Sequence, residues 1–277
     1  MRLLAFPLMM SLMMSLMGCG CVQEGTDQEG TDLQDTAQNN SQAAAEESVS
    51  ETIAKANQKI ESHVMEDDIA VDRSRRNVIS CSYCKWPKYG SKVTIQIYFD
   101  PSYSSSEKSL IRSAMRTIES QTCIKFEEIS RSWSYFTRHL YIHSGTGCWS
   151  YTGRKWWMLS QKVSLSKDGC LYTATVQHEL LHALGFTHEH SRSDRDNHVT
   201  IRHENIEPNR KYNFIKQQTD NLDTPYDFDS VMQYHNYDFS INKKPTLQSK
   251  RNPRMRFGYA SGVSKNDILR VNRYYEC

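Results

Sequence analysis

The chain has 277 residues, with 34 Lys+Arg against 32 Asp+Glu, eight Cys and a formal net charge of +2. That length suits one catalytic domain with a leader. The basic residues are scattered and no nucleic-acid module is visible, which excludes nucleic acid as a partner. Residues 1–20 carry an early Arg2, then the apolar run LLAFPLMMSLMMSLM, then small residues. This pattern reads as a secretory signal peptide, too short for a membrane anchor, and no later segment is apolar enough to span a bilayer. A faint likeness to a bacterial lipoprotein box at residues 16–19, LMGC, is set aside. The product is expected to be secreted and extracellular, without a stable membrane anchor.

Residues 22 to about 50 are Gln, Glu, Asp, Ser, Thr and Ala with almost no large apolar side chain, so they are expected to be disordered. Residues 73–76 read RSRR, the pattern cut by furin-like proteases, which predicts an activating protease acting after Arg76. The composition changes across it. Residues 22–76 hold 5 basic and 13 acidic side chains, a charge of −8, while residues 77–277 hold 28 and 19, a charge of +9. An acidic leader beside a basic body predicts a propeptide held partly by charge. The expected division is signal peptide 1–20, propeptide 21–76 and peptidase domain 77–277, with lobes at about 77–185 and 186–277.

The body then opens at Asn77. Cys81 and Cys84 stand at CxxC spacing, but no βαβ pattern is read after them and no second CxxC exists, so a local disulfide is expected. VTIQIYF, Val93 to Phe99, alternates with period two and reads as a half-buried strand. Ser104 and Glu107 form a capping box, and Leu110, Ile111, Ala114, Met115 and Ile118 mark one face of the following helix. Leu140 to Ile142 and residues 161–165 read as further strands. Residues 173–184 read as a helix, and a short one is expected near 264–274. A secretory leader and six cysteines in the body point to disulfides, with 15 pairings possible.

The helix at 173–184 carries HELLH. His178 and His182, four apart, lie on one helix face and can meet one metal ion. Gly185 permits a positive φ, so the chain can turn and return His188 as a third ligand. Three histidines leave a fourth position open on zinc, as catalytic sites do. Glu179 lies beside the metal, not on it. His190 and His198 are not at ligand spacing. HELLHALGFTH carries the full HExxHxxGxxH pattern of the metzincins. GFTHEHSRSDRDNHVTI closely resembles the astacin family of secreted zinc endopeptidases, and SVMQY, Ser230 to Tyr234, resembles that family's Met-turn. The resemblance runs from about Asn77 to Cys277. CxxC before Trp86 is similar to the fish hatching-enzyme, six-cysteine branch.

The resemblance implies an α+β fold: a two-lobed protease with a twisted sheet and the zinc helix in the N-terminal lobe, and a mostly irregular C-terminal lobe. It implies one Zn²⁺ on His178, His182 and His188, Glu179 as general base, and Tyr234 as a further zinc ligand that swings away to donate to the tetrahedral intermediate. It implies that Met232 packs beneath the histidines and that Glu189 receives the freed N-terminus of Asn77. It selects the disulfides Cys123–Cys277 and Cys148–Cys170. One of the two strands at 140–142 and 161–165 would border the cleft and pair with substrate. The family's FxGD propeptide motif falls on Met65-Glu66-Asp67-Asp68, with Asp68 as zinc ligand in the zymogen and Asp67 in place of glycine. The implied activity is hydrolysis of peptide bonds in protein or peptide substrates, and a monomer is expected. Egg-envelope digestion, a mucosal, immune or developmental processing role, and an inactive secreted binding protein are the readings left open.

Overall fold

The computed structural model describes residues 47–60, 64–70 and 82–277. The expected signal peptide, most of the acidic stretch, the RSRR site, Asn77 and Cys81 lie outside the described residues. Residues 47–50, part of the stretch expected to be disordered, are ordered. Ser48 and Glu51 form a capping box that starts helix α1, Val49–Ala56, which buries Val49 and Ile53. Two short strands follow, β1 at Val64–Met65 and β2 at Ile69–Ala70, paired antiparallel.

The alternation read at VTIQIYF is strand β3, Val93–Phe99, with Val93, Ile95, Ile97 and Phe99 turned inward. Ser104 caps helix α2, Ser105–Glu119, whose Ile111, Ala114, Met115 and Ile118 are buried. Leu110 sits half-buried at the rim of the same core. The chain then returns as β4, Ile124–Glu128, parallel to β3. This β3–α2–β4 crossover is a βαβ unit, contrary to expectation, because IKFEE is too short and too charged to announce a strand. Cys84 is nonetheless disulfide-bonded.

A one-turn helix, α3 at Arg131–Ser134, leads to β5, His139–His143, then β6, Cys148–Ser150, and β7, Ser160–Leu165. The seven-stranded sheet has the order β1-β2-β6-β7-β5-β3-β4. Pairings β3/β4, β3/β5 and β5/β7 are parallel, whereas β6 runs antiparallel to β7. Helices α2 and α4, the latter Thr173–Leu184, enclose a core that includes Ile95, Ile142, Val163, Leu180 and Leu184.

Beyond Gly185 the chain is mostly turns and 3₁₀ segments, with a small ladder of β8, Val199–Ile201, against β9, Leu247–Ser249. A second apolar cluster forms there from Val199, Ile206, Phe214, Tyr226, Tyr234, Leu247 and Phe257. The last helix, α5 at Lys265–Tyr275, belongs to the first core through Val271 and Tyr275, and the Tyr275 hydroxyl donates to the Leu184 carbonyl at 2.8 Å. Both expected disulfides are present, Cys123–Cys277 and Cys148–Cys170. The first closes 154 residues of sequence separation, a cross-link worth about 5 kcal/mol in the chain-entropy account.

Candidate active site

Helix α4 carries His178, Glu179 and His182 fully into the interior. It stops at Gly185, whose φ of 112° is open to glycine, and whose N–H bonds the carbonyl of His182 at 2.8 Å. The turn brings His188 back, and the three imidazoles lie 4.7–5.2 Å apart between centroids. The Nδ1 of His178 is 2.8 Å from the Val231 carbonyl and that of His182 2.8 Å from the Phe186 carbonyl. A carbonyl only accepts, so each Nδ1 carries the proton and each Nε2 presents a lone pair to the centre.

Asp68 completes the group. Its Oδ2 lies 3.0 Å from His178 Nε2 and 3.3 Å from His188 Nε2, and its Oδ1 lies 3.4 Å from His182 Nε2. Ligand atoms of all four residues fall within 4.8 Å of one another. Lone pairs thus face lone pairs in a buried space. Among the described residues, His182 Nε2 and Asp68 Oδ1 have no hydrogen-bond partner, and His188 Nε2 is 3.3 Å from His178 Nε2. A bound cation would relieve such a convergence. Three nitrogens and a carboxylate are a donor set suited to Zn²⁺, so the residues present fit the metal.

The electrostatics follow from burial. Both carboxylate oxygens of Glu179 are buried without a hydrogen-bond partner among the described residues. Burial first, and the nearby Asp68 second, push its pKa well above the usual carboxylate range. Burial alone would raise Asp68 as well, but His188 and His182 hold it well below its ordinary value. Burial lowers His182 to about 4, keeping that ring neutral.

The segment carrying Asp68 is buried against the sheet. Ile69 pairs in parallel with Ser150, so the strand added to the sheet lies against β6. This corrects the expectation that 140–142 or 161–165 pairs with an added strand: β5 and β7 lie between other strands of the body, and the strand that pairs with β2 is the three-residue β6. Glu66 and Asp67 both have positive φ, 48° and 71°, so the family's glycine position is occupied here by an aspartate in a glycine-like conformation. Asp67 is paired to Arg210 at 2.6 Å, and its carboxyl is pushed up to about 6 by burial and by Asp68. Glu66 accepts from His188 Nδ1 at 2.8 Å, from the Ser191 hydroxyl at 3.1 Å and from the Gln217 amide. Tyr234 donates its hydroxyl to the Glu66 carbonyl at 2.6 Å. Burial raises the Tyr234 phenol well above its ordinary value, which keeps it a donor. Asn57, just past α1, hydrogen-bonds the N–H and the C=O of Cys148 at 2.7 Å each, as a neighbouring strand would.

Other residues of the two motifs lie around this centre. His190 is buried, and its Nε2 is 2.9 Å from the Asn213 carbonyl. Its ring sits 3.9 Å from that of Tyr234. His198 stacks on Tyr226 at 4.8 Å. Neither joins the group of four. Glu189 is clasped by Arg270 at 2.5 and 2.7 Å and by Arg192 at 3.3 Å, and it accepts from the Asp227 N–H at 2.6 Å. Burial pushes it up to about 7 against the pull of those arginines. Met232 is buried in the core. The Met-turn is pinned by Asp267, which accepts from the Ser230 hydroxyl at 2.6 Å and the Val231 N–H at 3.0 Å. Arg210, Gln217 and Arg270 carry no sequence signal of a role here. Only Asp267 leaves a trace, as the third residue of a capping box begun by Ser264.

Comparisons with known proteins agree with this geometry. The profile of the Astacin peptidase family matches residues 80–276. Low choriolytic enzyme of Oryzias latipes is 38% identical over 239 residues, spanning 83% of this chain and 84% of that one. High choriolytic enzyme 1 of the same fish is 38% identical over 229 residues, spanning 81% and 82%. The solved structure of High choriolytic enzyme 1, a hatching enzyme zinc-protease, superposes with a TM-score of 0.67 at 40% identity, covering 73% of this chain and all of that one.

Proposed function

Because this chain belongs to the astacin family of zinc metalloendopeptidases, we propose that it is a secreted endopeptidase made as a latent precursor, with Asp68 as the switch. Residues 1–20 are the signal peptide, 21–76 the propeptide and 77–277 the peptidase, with lobes divided near 185. His178, His182 and His188 would hold the zinc, and Asp68 would hold it with them until the propeptide leaves. The observation that carries this reading is the Asp68 carboxylate set against the Nε2 atoms of all three histidines.

When bound, the zinc supplies a Lewis acid that makes water acidic enough to attack a peptide carbonyl near neutral pH. Glu179 accepts the proton of that water and returns it to the leaving amine; its buried, unpartnered oxygens suit a proton carrier. The Tyr234 hydroxyl, now spent on the Glu66 carbonyl, is released with the propeptide and donates to the oxyanion growing on the scissile carbonyl. The β6 edge, vacated by Ile69 and Asn57, offers its backbone to an extended substrate. Cleavage after Arg76 by an activating protease frees Asn77, whose new amino group is the partner for Glu189. Kinship with two choriolytic enzymes makes egg-envelope protein the first substrate to try.

The test uses a chain made uncleavable by Arg75→Ala and Arg76→Ala. This precursor should be silent on casein, and adding Asp68→Ala should wake it; a chelator should silence it again. If the triple variant stays as inactive as its parent, the aspartate switch is wrong and steric blocking of the cleft replaces it.

A further inference from the structure

The three histidines are not held alike. His178 and His182 give their Nδ1 protons to the carbonyls of Val231 and Phe186, backbone that stays when the propeptide goes. His188 gives its Nδ1 proton to the side chain of Glu66, at 2.8 Å. Glu66 lies upstream of Arg76 and departs with the propeptide. It is 2% exposed, so its carboxylate has left water. Its other partners are neutral, the Ser191 hydroxyl and the Gln217 amide. Its backbone is left-handed at a φ of 48°, a conformation that side chains other than Gly and, occasionally, Asn or Asp seldom visit. A buried carboxylate on a strained backbone, aimed at the far side of one imidazole, is costly unless the imidazole carries charge or faces a cation.

Resting on the ligand set and latency proposed above, we infer that Glu66 is a positioning residue for the metal, so that the precursor holds zinc more tightly than the cleaved enzyme does. The carboxylate fixes His188 with Nδ1 protonated and the Nε2 lone pair toward the centre, and it makes the ring a stronger donor. Such carboxylate–histidine pairs behind a metal change its affinity by about 10–100-fold. Glu66 and Asp68 together also place two negative charges around a divalent cation, and both are carried by the propeptide. The propeptide is then more than a plug: it helps load and retain zinc while the chain folds and is exported. Its loss leaves one of the three ligands without its orienting partner.

The uncleavable precursor decides this. Zinc release into excess chelator, followed with a zinc-sensitive dye, is compared for the parent, Glu66→Ala and Glu66→Gln, and for the cleaved wild-type enzyme. Glu66→Ala should release zinc about 10–100-fold faster than its parent. Glu66→Gln should fall between them, since its amide oxygen still accepts the Nδ1 proton without the charge. The cleaved enzyme should be at least as fast as Glu66→Ala. With ¹⁵N-labelled histidine, the protected Nδ1–H signal of His188 should appear in the parent and in Glu66→Gln and vanish in Glu66→Ala. Release from Glu66→Ala within twofold of its parent overturns the inference while leaving the Asp68 switch intact. So does a Glu66→Ala precursor that hydrolyses peptide, since fast release would then report an undocked propeptide. A parent that binds less than one zinc sinks both the ligand set and this inference.

Discussion

Glu179 and Tyr234 flank the same centre but should fail differently when changed. Neither oxygen of Glu179 makes a hydrogen bond among the described residues, so Glu179→Gln removes a proton acceptor without breaking a contact. The expected result is a folded protein that retains its zinc by elemental analysis and loses about 10²–10⁴-fold in kcat; an active variant would remove Glu179 from the mechanism. Tyr234 already holds a carbonyl, that of Glu66. Tyr234→Phe should lower kcat about 10²-fold with little change in KM, as expected of a donor used mainly in the transition state. Steady-state kinetics on a quenched-fluorescence peptide separates the two constants, and a change confined to KM would count against the role.

At the scale of elements, the proposed latency turns on the short strand β6, which pairs with β2 on one side and β7 on the other, and on the turn before it. Asn57 reaches the backbone of Cys148 because Gly147 has no side chain: a Cβ there would come within 1.9 Å of Asn57 Oδ1, and Gly147 itself has a φ of 71°. Gly147→Ala should therefore cost the cleaved enzyme about 1 kcal/mol for the backbone alone, a fall in Tm of about 2–4 °C. In the uncleavable precursor the same change should also dislodge Asn57 and raise residual activity. Equal Tm losses in the two forms, with latency intact, would show that the Asn57 contact contributes nothing to docking.

Across the molecule, helix α1 is coupled to the C-terminal region through buried polar groups. Asp238 is buried in the C-terminal region, accepts from the His235 N–H at 2.7 Å and is pushed up to about 7 by burial, which a hydrogen bond from Ser50 of α1 only partly offsets. A carboxyl raised from an ordinary 3.8 to about 7 is bound in its protonated form by the fold. Its effect is fully present below about pH 4 and is lost as the pH rises through about 7, on the order of 4 kcal/mol at most. Asp238→Asn should flatten the fall in precursor Tm between about pH 4 and 7. A Tm profile that keeps its slope in the variant would assign the pH dependence to other groups.

The chemistry was legible in the sequence because it is local. The i,i+4 spacing of His178 and His182, a glycine placed to end the helix, and His188 beyond it are short-range geometry, and helix α4 has the bounds that its pattern predicted. The capping box of α2 and the alternation of β3 were legible for the same reason. The disulfide pairs came from family likeness, since spacing alone cannot choose among pairings. Tertiary structure decided the rest. A three-residue strand such as β6 has no period to read, and the parallel order of the sheet is set by packing across many residues. The positive φ of Glu66 and Asp67 is imposed on residues that do not seek it, by Arg210, Ser191, Gln217 and His188 gathered from far along the chain. Those partners are ordinary polar residues in sequence. They acquire a role only because folding removes water from around them and leaves one another as the partners at hand.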